Sequence, residues 1–330
     1  MVTAVLLGSF VKHWRQGVSL LRLPARVLPK WLHPWTRVSY YPVSLTPSVG
    51  TVPLSPPNHE TQARDVSRRT IDDFGTQWTR YTENKGYYAS VGLLADICGS
   101  LLELTDIKGC RSADIGSGTG RIVQMLLHAG AASVVAIEPS QAVEVLRRNT
   151  EQYGERVEII HASGEAIGRL RDLDLILSIG VLHHIADPSP VVRAAYQALR
   201  PGGRMMIWLY GQEGNELYLS VFGRMRAVTT RLPHPMLVGL SAMLNLGASV
   251  YSTACRYLPL PMAAYMRNHF SRLDQSQRRL TIYDQLNPAY AKYYSEMEAQ
   301  ALLADNGFVD VRCYHRHGYS WSVIGRKPRD

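Results

Sequence analysis

An α/β fold with a mostly parallel sheet follows from three observations. Short apolar runs alternate with helical patterns between residues 92 and 210. A glycine-rich turn joins the first such run to the next helix, and two strand-like runs close the chain. Alternation of this kind builds βαβ units, whose crossover helices cover both faces of a parallel sheet. In order, Gly92–Leu104 reads as a helix and Arg111–Ile115 as a short strand ending at Gly116. Ser133–Ile137 is the second strand, with a helix from Gln141. Val157–His161 and Leu173–Ile179 are the third and fourth, and a helix over Pro190–Leu199 leads to the fifth, Gly203–Tyr210. Phe308–Arg316 and Ser320–Arg326 are parted only by His317, Gly318 and Tyr319. That is a hairpin, so one end of the sheet carries an antiparallel strand.

Residues 211–294 break the alternation and are assigned to a mainly helical cap inserted after the fifth strand. Residues 65–210 and 295–330 form the main domain, and 1–64 a basic, Pro-rich, disordered extension. A chain of 330 residues suits about two domains at roughly 150 residues each. With 46% hydrophobic and 19% charged residues it can bury a core, which excludes wholesale disorder. Leu232–Cys255 contains no Lys, Arg, Asp or Glu, and a membrane-spanning helix needs about 20 mostly apolar residues. Pro233, Pro235, Gly239, Asn245 and Gly247 interrupt it, so a cap helix buried on the main domain is the expectation.

The net charge of +9 is localised. Residues 1–59 hold six Lys or Arg and no acid, leaving 30 basic against 27 acidic residues, a net of +3, for the rest. The folded part therefore has no whole-domain field for nucleic acid, and no nucleic-acid partner is expected. The tail has three readings. It resembles an organelle transit peptide; or Trp14, Trp31 and Trp35 among Lys and Arg seat it on an anionic membrane; or it is a disordered extension, an upstream stretch from a misplaced start codon included. A cytoplasmic location is expected, with organelle targeting or membrane-peripheral attachment as the alternatives. Cys98, Cys110, Cys255 and Cys313 form no C-x-x-C pair. That excludes a Cys-rich zinc module or disulfide scaffold, suits a reducing compartment, and leaves no metal site expected.

The segment Asp114-Ile-Gly-Ser-Gly-Thr-Gly120 follows the first strand and opens a helix. Its glycines permit a tight turn and close approach of a ligand to the backbone. The spacing G-x-G-x-G at Gly116, Gly118 and Gly120 differs from the dinucleotide pattern G-x-G-x-x-G, and Asp114 before it suits a cationic ligand better than a pyrophosphate. Glu138 ends the second strand, placed to accept hydrogen bonds from ribose hydroxyls.

Asp114–Gly120, Ala136–Ser140, Leu173–Ser178, Val181–His184 and Leu199–Gly203 occur in an order and spacing that resemble class I S-adenosylmethionine-dependent methyltransferases of the small-molecule type. The resemblance covers residues 75–210 and, through the hairpin, 300–327. It implies a Rossmann-like seven-stranded sheet of order 3-2-1-4-5-7-6 with strand 7 antiparallel, and S-adenosyl-L-methionine as cofactor. It places Gly116, Ser117, Gly118 and Gly120 beneath the methionine part, Asp114 near its amino group directly or through water, and Glu138 and Pro139 by the ribose. Gly164, Glu165 and Ser178 complete the implied cofactor set. Ser163 stands where many relatives carry an acid for the adenine. Glu165 as a helix cap and Pro139 as a strand terminator are the structural alternatives.

His183 and His184 follow strand 4 at the edge where ligands of such sheets bind. A histidine serves as a base near neutral pH, which a hydroxyl acceptor requires. The two are therefore candidate catalytic residues, with packing as the alternative for either. Further pocket candidates are Tyr210, Glu213 and Asn215 after strand 5, and Tyr283, Asp284 and Asn287 in the cap. His315, His317 and Tyr319 at the hairpin join them. Trp78 and Tyr81 in the Phe74–Tyr81 segment resemble a lid closing over the cofactor. Strand 4 ends in Ser178-Ile-Gly-Val, without the Asn/Asp-Pro-Pro-Tyr signature of base-amino methylation. The expected partner is thus a small-molecule acceptor with lipophilic surface, and the basic tail or apolar cap offers a peripheral membrane contact. Two other readings stand beside methyl transfer: a catalytically weak cofactor-binding module tethered to a membrane or partner, and an NAD-dependent oxidoreductase.

Overall fold

The computed structural model describes residues 59–216, 219, 229, 232, 234–286 and 290–329, with side-chain surroundings from Ser67 onward. The expectations for residues 1–58, and for Asn287, lie outside the described residues.

Helix α1 (His59–Arg80) precedes the sheet and is followed by α2 (Val91–Cys98). Then β1 (Arg111–Ile115), α3 (Arg121–His128), β2 (Ser133–Ile137), α4 (Val143–Thr150), β3 (Val157–Ile160), β4 (Leu173–Ile179), α5 (Ser189–Ala198) and β5 (Leu199–Tyr210) alternate. After β5 come α6 (His234–Tyr257), α7 (Ala263–Asn268) and α8 (Gln275–Leu286); α9 (Glu296–Ala304), β6 (Val309–Arg316) and β7 (Ser320–Arg326) close the fold. The sheet has seven strands in the order 3-2-1-4-5-7-6. β1 lies parallel between β2 and β4, while β7 pairs antiparallel with both β5 and β6. Order and polarity agree with the expectation.

Each sheet face is covered by its own core. Ile115, Ile176 and Ile207 point to one side with Val192 and Leu303, and Ala136, Leu177 and Met206 to the other with Leu94 and Leu126. Alternation along each strand sends successive side chains to opposite faces, and helices on both sides bury them. Ser90 caps α2 by accepting from the Leu93 N–H, and Ser295 and Glu298 close a capping box at α9.

Two boundaries differ most from the sequence reading, while others shift by one or two residues. The helix expected over Gly92–Leu104 stops at Cys98 because Gly99 turns to φ +54 against the Tyr314 ring, where a Cβ would stand 2.4 Å from a ring carbon. Leu101 and Leu102 remain buried, which is why the apolar period reads on past the helix end. β5 begins at Leu199 rather than Gly203: the strand runs through Pro201 and Gly202 by an irregular register between Leu173 and Leu175 of β4. The cap packs a third core around Tyr251, Phe270, Tyr283 and Leu286. Its long helix α6 is buried on one face only, a correction to the burial expected of it.

Candidate active site

The turn after β1 is shaped by its contacts. Gly116 has φ +78, and a Cβ there would meet Val181 at 2.4 Å. Gly118 has φ +51 and lies under the indole of Trp78. Only glycine adopts this left-handed region without strain at both positions. The Gly118 N–H donates to Oε2 of Glu138 at 2.7 Å, while Oε1 accepts from the N–H and hydroxyl of Ser140 at 2.9 and 2.6 Å. Glu138 is thus fixed between the turn and the end of β2, with further lone pairs on both oxygens. Ser140 is a positioning residue that sequence reasoning missed, although Glu-Pro-Ser stood in the quoted segment. A bracket of amides holds the turn's far side: Asn84 and Asn149 both donate to the Thr119 carbonyl, at 2.9 Å each.

Asp114 is buried beneath the turn, and its Oδ2 meets no hydrogen-bond partner among the described residues. Burial, reinforced by the nearby Glu138 charge, pushes its carboxyl up to about 7. A carboxyl so placed gains from the arrival of a cation.

These groups open onto one cavity of about 320 Å³, within the range of ligand sites. Gly116, Ser117, Gly118, Glu138 and Pro139 line one end, and Gly164 and Glu165 join them beside Ser163. Gly120 and Ser178 lie behind the wall. Gly120 starts α3 at φ +83 against Leu146 and Thr150, and the Ser178 hydroxyl donates to the Ile115 carbonyl at 3.3 Å across the β1–β4 pair.

The two histidines separate in the structure. His184 lines the cavity, and its Nδ1 donates to the Tyr290 carbonyl at 2.7 Å. That bond puts a proton on Nδ1, so a neutral ring there carries its lone pair on Nε2. His183 is fully buried behind it, its ring 3.9 Å from that of Tyr210 and 4.2 Å from that of His184. It does not belong to the cavity wall.

α1 and the cap close the other sides. Phe74 and Trp78 of α1 line the cavity, and Phe74 meets the His184 ring edge-on at 4.7 Å. Tyr81 points away to Tyr283, 6.2 Å between rings. Tyr210 stacks on Tyr293 at 5.3 Å, and its hydroxyl donates to Asp284 at 3.2 Å while accepting from Gln285 at 3.0 Å.

Of the other candidates, Tyr210, Asn215, Asp284 and Tyr319 line the cavity. Tyr283 is packed in the cap core, Glu213 accepts from the Trp321 indole at 3.0 Å, and His315 stacks on Trp321. His317 bonds Asp96 at 2.9 Å. Among the other lining residues that sequence reasoning missed are His269 and Arg316. Arg316 is buried, bound to Asp96 and to the Tyr319 hydroxyl, and its guanidinium lies 3.2 Å from His269. In the sequence Arg316 is only the last residue of a strand, and nothing in β6 announces its partners from α2 and the cap.

Fold, strand order and glycine turn are those expected of a class I S-adenosylmethionine-dependent methyltransferase domain. The family described as "Methyltransferase domain" matches residues 113–207. The chain is 28% identical over 116 residues to a ubiquinone biosynthesis O-methyltransferase of Ruegeria pomeroyi, covering 35% of this chain and 47% of that one. It is 26% identical over 171 residues to the tRNA 5-carboxymethoxyuridine methyltransferase of Escherichia coli K12, covering 50% and 65%. Among solved structures, human N-acetylserotonin methyltransferase aligns at 14% identity and a TM-score of 0.42, over 69% of this chain and 50% of that one. The chain spans about half the length of the curated relatives it matches.

Proposed function

We propose that this chain transfers a methyl group from S-adenosyl-L-methionine to a hydroxyl of a small, lipophilic acceptor. One observation carries the reading: a single cavity joins the glycine turn and Glu138 at one end to His184, aromatic rings and apolar cap residues at the other. The residues fit the cofactor. The lone Asp114 oxygen suits its cationic amino group, the glycine turn leaves room for its chain, and Glu138 offers two oxygens to the ribose diol. When bound, it supplies a methyl group on a sulfonium.

The chain's own contribution is alignment, exclusion of water and custody of a proton. Trp78 and Phe74 cover the site from α1, and Phe270, Leu280 and Ile282 cover it from the cap. Holding two reactants in line is worth up to roughly 7–11 kcal/mol of barrier. His184 Nε2 takes the acceptor's hydroxyl proton, and the Tyr290 carbonyl stabilises the imidazolium through Nδ1. The hydroxyl class accords with the O-methyltransferase name of several relatives. The test incubates the protein with S-adenosylmethionine and metabolite extracts and seeks, by mass spectrometry, products heavier by one methyl group. With the acceptor in hand, His184→Gln should slow transfer by about 10²–10⁴-fold, the usual contribution of a general base, with cofactor affinity unchanged. A His184→Gln rate equal to wild type would remove the base and with it the hydroxyl assignment.

A further inference from the structure

Helix α6 is built with its polarity reversed. Its buried face sets Ser241, Asn245 and Ser252 among Leu237, Ala248 and Tyr251. Its opposite face exposes Met236, Met243, Leu246, Val250 and Tyr257, at 71% for Leu246, 67% for Val250 and 82% for Tyr257. Their spacing lays them along one stripe of a 3.6-residue helix. At Gly239, on the same stripe, no described residue comes within 4 Å of where a Cβ would stand. A helix facing only water carries polar residues there, and a continuous apolar face this long marks a binding surface.

Charge identifies the occupant. Between Glu216 and Asp274 the sequence has no acid and six arginines: Arg224, Arg226, Arg231, Arg256, Arg267 and Arg272. Arg256, in the last turn of α6, and Arg267 beyond it are exposed, and Arg272, also exposed, stacks its guanidinium on the Tyr87 ring at 3.7 Å. The acid-free residues 1–59, with six further Lys or Arg, have the same sign. A second copy of the chain, docked face to face, would bring arginine against arginine with no counter-charge. An anionic bilayer offers both required surfaces, an apolar boundary for the stripe and phosphates for the arginines, with Tyr257 at the polar boundary. The helix lies on such a surface rather than crossing it, because Tyr251 and Cys255 pack its other face into the cap core with Phe270 and Tyr283.

We propose that α6 is a membrane-docking helix: its Met243, Leu246 and Val250 face enters the surface of an anionic bilayer while the neighbouring arginines bind lipid phosphate. The proposal does not depend on the reaction in the cavity.

The test is flotation of the full chain with vesicles of phosphatidylcholine alone or mixed with phosphatidylglycerol. Wild type should float with the anionic vesicles and far less with the neutral ones. A variant combining Met243→Glu, Leu246→Glu and Val250→Glu should lose binding about tenfold or more, as apolar area leaves the interface, with its thermal unfolding unchanged. Should that variant misfold, Arg256→Glu with Arg267→Glu is the second, and the same loss is expected. Retained binding by either folded variant would assign attachment to the tail and overturn the proposal. So would a wild type that ignores both vesicles, including one whose α6 face instead holds a dimer that the variant disperses.

Discussion

Gln77 in α1 donates a 3.0 Å hydrogen bond to Asp284 in α8, joining residues 207 positions apart beside the cavity that Asp284 lines. Asp284 also accepts from Tyr210 at the end of β5. One carboxylate therefore ties α1, the cap and the main sheet together, and the tie closes the walls that Trp78 and Phe270 supply.

Removing the donor should loosen that closure. A hydrogen bond to a charged group is worth about 1.5–3 kcal/mol, so Gln77→Ala should weaken S-adenosylhomocysteine binding by roughly tenfold, chiefly through faster release. Stopped-flow measurement of the dissociation rate checks this. An unchanged rate would mean that α1 stays closed without the bond.

Under the proposed function, Asp114 links cofactor binding to pH. Its carboxyl is raised to about 7 by burial, so in the empty protein it holds its proton well above the ordinary carboxylate range. A cationic amino group favours the charged form, and binding must release that proton. Affinity for S-adenosylhomocysteine should therefore rise with pH up to about 7 and level off above it. The same raised value costs stability once the group ionises, because the unfolded chain ionises more readily. Asp114→Asn should accordingly bind the ligand less tightly, abolish the pH dependence, and unfold at a higher temperature than wild type above pH 7. Calorimetry and thermal melts across pH 5–9 read both effects.

Asp96 has the opposite sign. Burial opposes its charge, but hydrogen bonds from His317 and Arg316 and the Arg316 charge prevail, holding its carboxyl well below the ordinary range. The stability it contributes is complete above the unfolded value, about 4, and is lost as pH falls through the folded value. Asp96→Asn leaves Arg316 buried without its counter-ion, a loss of about 3–5 kcal/mol in such sites. Denaturant unfolding at pH 7 should show it, and the difference from wild type should shrink in acid.

Much of the main domain was legible because its signals are local. Arg111–Ile115, Ser133–Ile137 and Leu173–Ile179 are short apolar runs whose ends coincide with glycine or loop residues, and their bounds agree with the structure. The glycine turn and Glu138 were legible for the same reason. What escaped depends on contacts between distant segments. Gln77 meets Asp284, and Arg316 meets Asp96 and the cap; no spacing rule encodes such meetings. His183 and His184 are adjacent and alike in sequence, and only the packing of Tyr210 and the Tyr290 carbonyl separates them. Which residues of α6 face outward was not legible, because an uncharged stretch reads the same whether it faces a core or solvent.

Glu138 carries the central claim, that the turn after β1 and the end of β2 form an S-adenosylmethionine site. Its carboxylate is held by Gly118 and Ser140, and Glu138→Ala removes both proposed ribose acceptors, at about 1.5–3 kcal/mol for hydrogen bonds to a charged group. The most direct measurement is calorimetric titration of wild type and of folded Glu138→Ala with S-adenosylhomocysteine and, separately, with NAD(H). Wild type should bind S-adenosylhomocysteine and not NAD(H), and the variant should bind it at least roughly tenfold more weakly. Equal affinity in the two proteins, or binding of NAD(H) in place of S-adenosylhomocysteine, would contradict it.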